Sequence, residues 1–196
     1  MEDYFKNVVI FDHPLIAHKI THLCDVNTGT KEFNEIVGEL AMLMGYEALR
    51  DMETEMVEIQ APLAKFKSPV LKNNFTIVPI LRAGLGMVDG LRTLSPTARV
   101  GHIGMYRDEE TLEPHVYFHK MPPDAPNGPV VIVDPALATG GSMEAAVRFV
   151  KEKGCRNIKC MCLIAAPEGA VSYTHLDVYK RQLNRSCGRD TVPRPV

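Results

Sequence analysis

The sequence predicts an α/β fold: a central, mostly parallel sheet flanked by helices. Three observations carry this. Short apolar runs, many of them β-branched, recur at Phe75–Ile80, Val130–Val133 and Cys160–Ala165. Segments with helical periodicity alternate with them. Glycine and proline clusters punctuate the chain between the two kinds of segment. Parallel neighbours need a long crossover, usually a helix, so strands alternating with helices imply parallel pairing with helices on both faces.

Taken in order, His13-Pro14-Leu15-Ile16 opens a short helix with Leu15, Ile16, Ile20 and Leu23 at helical spacing. Thr28-Gly29-Thr30 interrupts it. A longer helix is expected from about Lys31 to Asp51, with Phe33, Ile36, Val37, Leu40 and Met44 on one apolar face. Val57 and Ile59 alternate with Glu58 and Gln60 as a strand that Pro62 closes. Phe75 to Ile80 is a buried strand, Leu81 to Gly86 its loop, and Met87 to Leu94 a short helix. Arg99 to Tyr106 is another strand. Arg107 to Pro114 is a long polar loop, and Val116 to Phe118 resume an extended run. Pro122 to Gly128 is a loop, Val130–Val133 a strand, and about Met143 to Lys153 a helix with Met143, Ala146, Val147 and Val150 on one face. Gly154 is placed to end it. Cys160 to Ala165 is the last strand read.

The 196 residues suffice for one domain with a sizeable core. A net charge of −2 gives no support to nucleic acid or an acidic membrane as partner. No apolar run approaches the ~18 residues of a membrane span, and Met1-Glu2-Asp3-Tyr4 lacks the basic and apolar regions of a secretory signal. A cytoplasmic protein is expected. The five cysteines, Cys24, Cys155, Cys160, Cys162 and Cys187, make no disulfide framework in a chain this long. Cys160 and Cys162 share one side of an apolar strand and read as core thiols. No second ligand pair suits a metal, and the scattered His13, His18 and His22 read as surface residues.

Three loops follow strands: 81–86, 107–114 and 134–142. In parallel sheets ligands sit beyond the carboxyl ends of the strands, so the three can line one crevice. Asp134-Pro135-Ala136-Leu137-Ala138-Thr139-Gly140-Gly141-Ser142 joins a buried strand to a helix start. Its glycines let the backbone close on a phosphate, and the N–H groups of Thr139 to Ser142, with the Thr139 and Ser142 hydroxyls, suit a monoester. Asp134 can accept hydrogen bonds from sugar hydroxyls. The simpler alternative is a capped helix start with Ser142 as the N-cap, which leaves the acid at the strand end unexplained. No Gly-Lys-Ser/Thr is present, so this is not a P-loop. Arg82, set among small residues after its strand, suits the two parallel hydrogen bonds of a pyrophosphate. Arg107 stands in a charged loop that can fold over a ligand.

These segments together resemble the uracil phosphoribosyltransferases, a branch of the type I phosphoribosyltransferase fold. The resemblance lies in His13-Pro14-Leu15, Tyr46-Glu47-Ala48, Val78 to Met87, Gly104 to Pro114, Asp134 to Ser142 and Ala165-Ala166-Pro167-Glu168-Gly169. It implies N-terminal helices and a small β-arm beside the sheet. It implies transfer of ribose 5-phosphate from phosphoribosyl pyrophosphate to uracil, giving uridine monophosphate and pyrophosphate. Arg82 and Arg107 would bind the pyrophosphate side. Asp134, Pro135, Ala136, Leu137, Ala138, Thr139, Gly140, Gly141 and Ser142 would bind the ribose and its 5-phosphate. Arg82, Arg107 and Asp134 would carry the catalysis. Magnesium would come with the donor, held by the donor's own oxygens and water, with no protein ligand assigned. GTP is the implied activator, and a homo-oligomer the implied assembly.

Two departures qualify this. Ala136 stands where the family usually carries methionine, a change of packing rather than chemistry. The larger one begins at about Val171. The expected division is a phosphoribosyltransferase domain over 1–170 and a non-homologous, disordered or artefactual tail over 171–196. The run Ser172 to Gln182 reads like translated junction sequence joined to a truncated gene. The tail is basic and proline-ended and lacks the Gly-rich segment by which the family binds uracil. On that reading the donor half of the site is present, the uracil-binding residues are absent, and activity is impaired. The alternatives are another nucleobase phosphoribosyltransferase, disfavoured by Pro135 where a second acid is more usual, or a nucleotide-sensing or RNA-binding pyrimidine regulator on the same fold.

Overall fold

The computed structural model describes residues 8–108, 114–166 and 179–182, with Arg107 and 179–182 described in backbone only. The acidic run 109–113, the 167–169 end of the last matching segment and the rest of the tail lie outside the described residues. In chain order the elements are β1 (Val8–Ile10), α1 (Pro14–Leu23), α2 (Thr30–Ala48), β2 (Thr54–Gln60), β3 (Lys65–Leu71), β4 (Thr76–Leu81), α3 (Leu85–Leu94), β5 (Arg99–Val100), β6 (His102–Arg107), β7 (Pro114–Lys120), β8 (Val130–Val133), β9 (Ala136–Leu137), α4 (Gly141–Glu152), β10 (Ile158–Cys162), β11 (Ile164–Ala165) and β12 (Tyr179–Gln182).

The central sheet runs β1-β12-β10-β8-β4-β6-β7, with β5 beside β4. Every pairing in it is parallel except β6 with β7. Its inner strands are buried throughout: β8 and β10 show no exposed residue, and only the last residue of β4 is partly open. That is why they read as continuous apolar runs rather than alternating ones. Two layers cover the sheet. On one face Ile77, Val131, Val133 and Met161 meet the buried faces of α1, α2 and α3. On the other, Val78, Ile80, Ile132 and Cys160 meet Met143, Ala146, Val147 and Val150 of α4. The predicted α/β architecture is thus the observed one.

Local chemistry explains the boundaries. His13 caps α1 by accepting from Leu15 N at 3.1 Å, and Pro14 takes the first helical position, where no N–H is needed. α2 buries Ile36, Val37, Leu40, Ala41 and Met44 as expected, but Phe33 is exposed, in the first turn ahead of the first buried position. α2 also stops at Ala48, short of Asp51. The Nζ of Lys159 in β10 donates to Ala48 O at 2.7 Å and pairs with Asp51, so a buried cation closes the helix end. The strand expected over 99–106 is split at Gly101 into β5 and β6, and β6 runs on to Arg107.

Four strands were not read from the sequence, β1, β3, β9 and β12, and the strand expected over Cys160 to Ala165 divides into β10 in the main sheet and β11, which pairs with β9. β3 pairs antiparallel with β2, making a hairpin apart from the main sheet, the β-arm that the resemblance implied. β12 falls within the segment set apart as tail, yet it pairs in parallel with β10 on one side and β1 on the other. Cys155, Cys160 and Cys162 are buried free thiols, and Cys24 is disulfide-bonded. No helix among the described residues is long and apolar enough to cross a membrane.

Candidate functional site

β4 and β8 lie side by side, with Pro79 opposite Val133, so their carboxyl ends open together. The Leu81–Arg82 peptide is cis. Arg82 is exposed at the start of the turn, which closes with Gly84 N donating to Ile80 O at 2.9 Å. Gly84 is where the two loops meet. A Cβ there would lie 2.5 Å from Val133 O and 2.8 Å from Ile80 N, both backbone atoms. Only a glycine lets the Arg82 turn rest against the peptide that leads into Asp134.

Asp134 is half-buried, and its N–H donates to Met161 O at 3.2 Å. The residues after it are held more firmly than a loop reading suggests. Ala136–Leu137 form β9, paired in parallel with β11. Pro135 O accepts from both Leu163 N and Ile164 N at 3.0 Å, and Leu137 O accepts from Ala166 N at 2.8 Å. Leu137 is buried and anchors the loop, whereas Ala138 and Thr139 are exposed.

The helix start differs from the simpler alternative. Gly140, not Ser142, is the N-cap of α4, with a left-handed φ of 87° that favours glycine and no side chain of its own to cap the first turn. Ser142 stands inside that turn. The first N–H groups of a helix have no intrahelical acceptor, and here no cap side chain supplies one. The acid of the turn, Glu144, is drawn to Arg148 at 2.6 Å. A helix start of this kind, with its positive end at the carboxyl edge of the sheet, is one that suits an anion.

The β6–β7 hairpin supplies the third wall. Pro114 Cγ lies 4.0 Å from the Cβ position of Gly141. Arg107 pairs with Pro114 across the hairpin, which carries its backbone to the same edge of the site. Tyr106 stacks on His115 at 5.5 Å on the hairpin stem. Of the residues expected at the site, Arg82, Asp134 and the 135–142 segment are brought to the same carboxyl end of the sheet, and Arg107 is placed beside them by its backbone.

Cys162 was taken only as a core thiol. Burial pushes its ionisation well above the usual thiol value, with the Asp134 charge adding to the rise. The i, i+2 spacing of Cys160 and Cys162 signals burial but not this neighbour. Elsewhere, the exposed His18 and His22 rings meet edge to face at 4.6 Å. Among the described residues no group of three or more His, Cys, Asp or Glu could hold a metal ion by itself.

Residues 9–181 match the family described as uracil phosphoribosyltransferase. The match thus runs about ten residues past the boundary expected at Val171. The uracil phosphoribosyltransferase of Lysinibacillus sphaericus is 55% identical over 176 residues, covering 88% of this chain and 84% of the relative. A solved structure of an Aquifex aeolicus protein superposes with a TM-score of 0.84 at 35% identity, covering 90% of this chain and 85% of that one. A hypoxanthine-guanine phosphoribosyltransferase from Bacillus anthracis shares the fold, with a TM-score of 0.52 at 11% identity over 69% of this chain and 71% of that one.

Proposed function

Since the chain belongs to the uracil phosphoribosyltransferase family, we propose that the crevice at the ends of β4 and β8 is where phosphoribosyl pyrophosphate is held for transfer of its ribose 5-phosphate to uracil. The observation that carries this is the convergence of Arg82, Asp134 and the uncapped α4 turn, fixed by the contact between Gly84 and Val133 O. The 5-phosphate binds to the N–H groups of the α4 start and to the Thr139 and Ser142 hydroxyls. Asp134 accepts hydrogen bonds from the ribose hydroxyls. Arg82 and Arg107 take the pyrophosphate.

In the reaction the bond from the sugar's anomeric carbon to pyrophosphate breaks and a bond to the uracil nitrogen forms. Positive charge develops on the ribose and negative charge on the leaving group. Asp134 steadies the first and the arginines the second. Fixing both reactants in line can supply up to roughly 7–11 kcal/mol of the barrier. The donor's oxygens and water are the hard ligands that magnesium accepts, so the ion fits as one carried in by the donor, with the half-buried Asp134 carboxylate nearby as a compatible negative charge rather than a ligand. When bound, it neutralises part of the pyrophosphate charge.

The finer reading concerns uracil. Residues 171–196 hold a single glycine, Gly188, so a Gly-rich acceptor segment is not among them, and we expect this chain to hold the donor but form product slowly. The test is calorimetric titration of the purified chain with phosphoribosyl pyrophosphate and magnesium, followed by uridine monophosphate formation from labelled uracil, with and without GTP. Failure to bind the donor overturns the site assignment. Turnover at the rate of a full-length relative overturns the finer reading alone. Sedimentation of the same sample tests the expected homo-oligomer.

A further inference from the structure

His18 and His22 stand about one helical turn apart on α1, both exposed, on the side away from the buried Ile16, Ile20 and Leu23. Residues four apart on a helix are surface neighbours, and these two rings touch edge to face with their centroids 4.6 Å apart. Both line a cavity of about 280 Å³ at the seam between α1 and α2, together with Glu32, Glu35 and Glu39 of α2 and with Lys19 and Ile36.

The charges around the pair favour a cation. The one ammonium lining the cavity, Lys19, is engaged by Glu39 at 2.5 Å. Lys31 reaches Glu35 only loosely, at 3.7 Å between two exposed groups. Glu32 makes no hydrogen bond or ion pair among the described residues. His22 lies in the last turn of α1, the negative end of the helix.

Two histidines at i, i+4 present their nitrogens on one side of a helix, the spacing by which helices hold zinc. Imidazole suits zinc, copper and nickel, whereas magnesium and calcium prefer oxygen. No third His, Cys, Asp or Glu among the described residues joins the pair as a ready ligand. Water therefore fills the other positions, and the glutamates act through their charge.

We propose that His18 and His22 form a two-imidazole chelate for a divalent metal ion of the zinc class, on the α1–α2 seam, with Glu32 and Glu35 supplying the surrounding negative charge. None of these residues belongs to the donor site, so the chelate stands or falls independently of that reading.

The test is calorimetric titration of the full chain with zinc chloride, in the parent and in His18→Ala and His22→Ala. The parent is expected to bind one ion per chain. Each variant is expected to bind at least about tenfold more weakly, since removing even an outer partner of a metal ligand costs that much. Both side chains are exposed, so urea unfolding without metal should be the same in all three proteins. Added zinc should then raise the unfolding midpoint of the parent alone. A second measurement on the parent needs no substitution: bound copper(II) should show nitrogen hyperfine coupling from two imidazoles in its electron paramagnetic resonance spectrum. A parent that binds no zinc, or a variant that binds it as tightly, overturns the proposal. So does a copper spectrum without nitrogen coupling. Displacement of zinc by magnesium at equal concentration also overturns it, because the ion would then sit on the glutamates rather than on the imidazoles.

Discussion

At the amino end of β10 the buried Lys159 ammonium donates to Ala48 O and pairs with Asp51, covering the negative end of α2. At the carboxyl end of its neighbour β8, Asp134 stands half-buried on the side of the positive end of α4, whose N-cap is a glycine with no side chain to close it. The amino end holds further closures of the same kind: Arg99 pairs with Asp124 at 2.7 Å, and Asn74 Nδ2 donates to Thr97 O at 2.6 Å. A helix terminus, an acid and a base occur at both ends of the sheet. At the amino end these groups complete one another through side chains, whereas at the carboxyl end the Arg82 turn and the strand leading to Asp134 are set together through backbone, at Gly84 and Val133 O.

The contrast can be broken from either side. Lys159→Ala should have the largest effect, and on stability alone. It opens a cavity and leaves Ala48 O without its donor, costing about 2–4 kcal/mol in urea unfolding. Donor binding by the folded fraction should be unchanged, and a matching loss of binding would show that the two ends are not separate. Arg82→Ala should do the reverse. Unfolding should be unmoved, because the side chain is exposed, while binding of phosphoribosyl pyrophosphate falls about 30-fold, on the scale of a charged hydrogen-bonded group. Arg82→Lys should recover only part of this, since an ammonium cannot make the paired contact.

A smaller effect follows from the raised ionisation of the Cys162 thiol. The unfolded chain releases that proton near the ordinary thiol value, about 8.5, whereas the folded chain retains it to higher pH. The stability this group contributes is complete below that pH and declines as pH rises between the unfolded and folded values. The decline is at most about 1.4 kcal/mol per pH unit. Unfolding curves taken across that alkaline range should show a shallower decline in Cys162→Ala, and an identical slope would refute it. Smallest of all, Arg148→Ala should remove the Arg148 contact from Glu144, the acid in the first turn of α4. Donor binding should weaken about twofold, in line with the few tenths of a kcal/mol of an exposed helix pair.

Much of the site was legible because its chemistry follows from position. Arg82 and Asp134 each come directly after a strand buried on both faces, and parallel pairing brings such ends together. The missing parts share a physical reason, which is that they depend on backbone angles or on distant partners. Ser142 looked like an N-cap by composition, but the left-handed turn at Gly140 starts the helix earlier. β3 contains Lys65, Lys67 and Pro69 and is largely exposed, so it shows no alternation. β12, Tyr-Lys-Arg-Gln, carries no apolar pattern, and its place between β10 and β1 comes from pairing alone. Lys159 was invisible inside an apolar run because its partners lie more than 100 residues away.

The double acceptance at Pro135 O has a last consequence. With Pro135 O bonded to Leu163 and Ile164, Leu137 O to Ala166 and Gly140 O to Glu144, three carbonyls of the 134–142 segment are committed to the protein's own amides. The segment is thereby sorted by polarity, with these oxygens turned inward. On the proposed assignment, an arriving phosphate would meet fewer repulsive dipoles from these three carbonyls. On that assignment, discrimination in favour of an anion would be written into peptide orientation, with no need of a positive field from a chain whose net charge is −2.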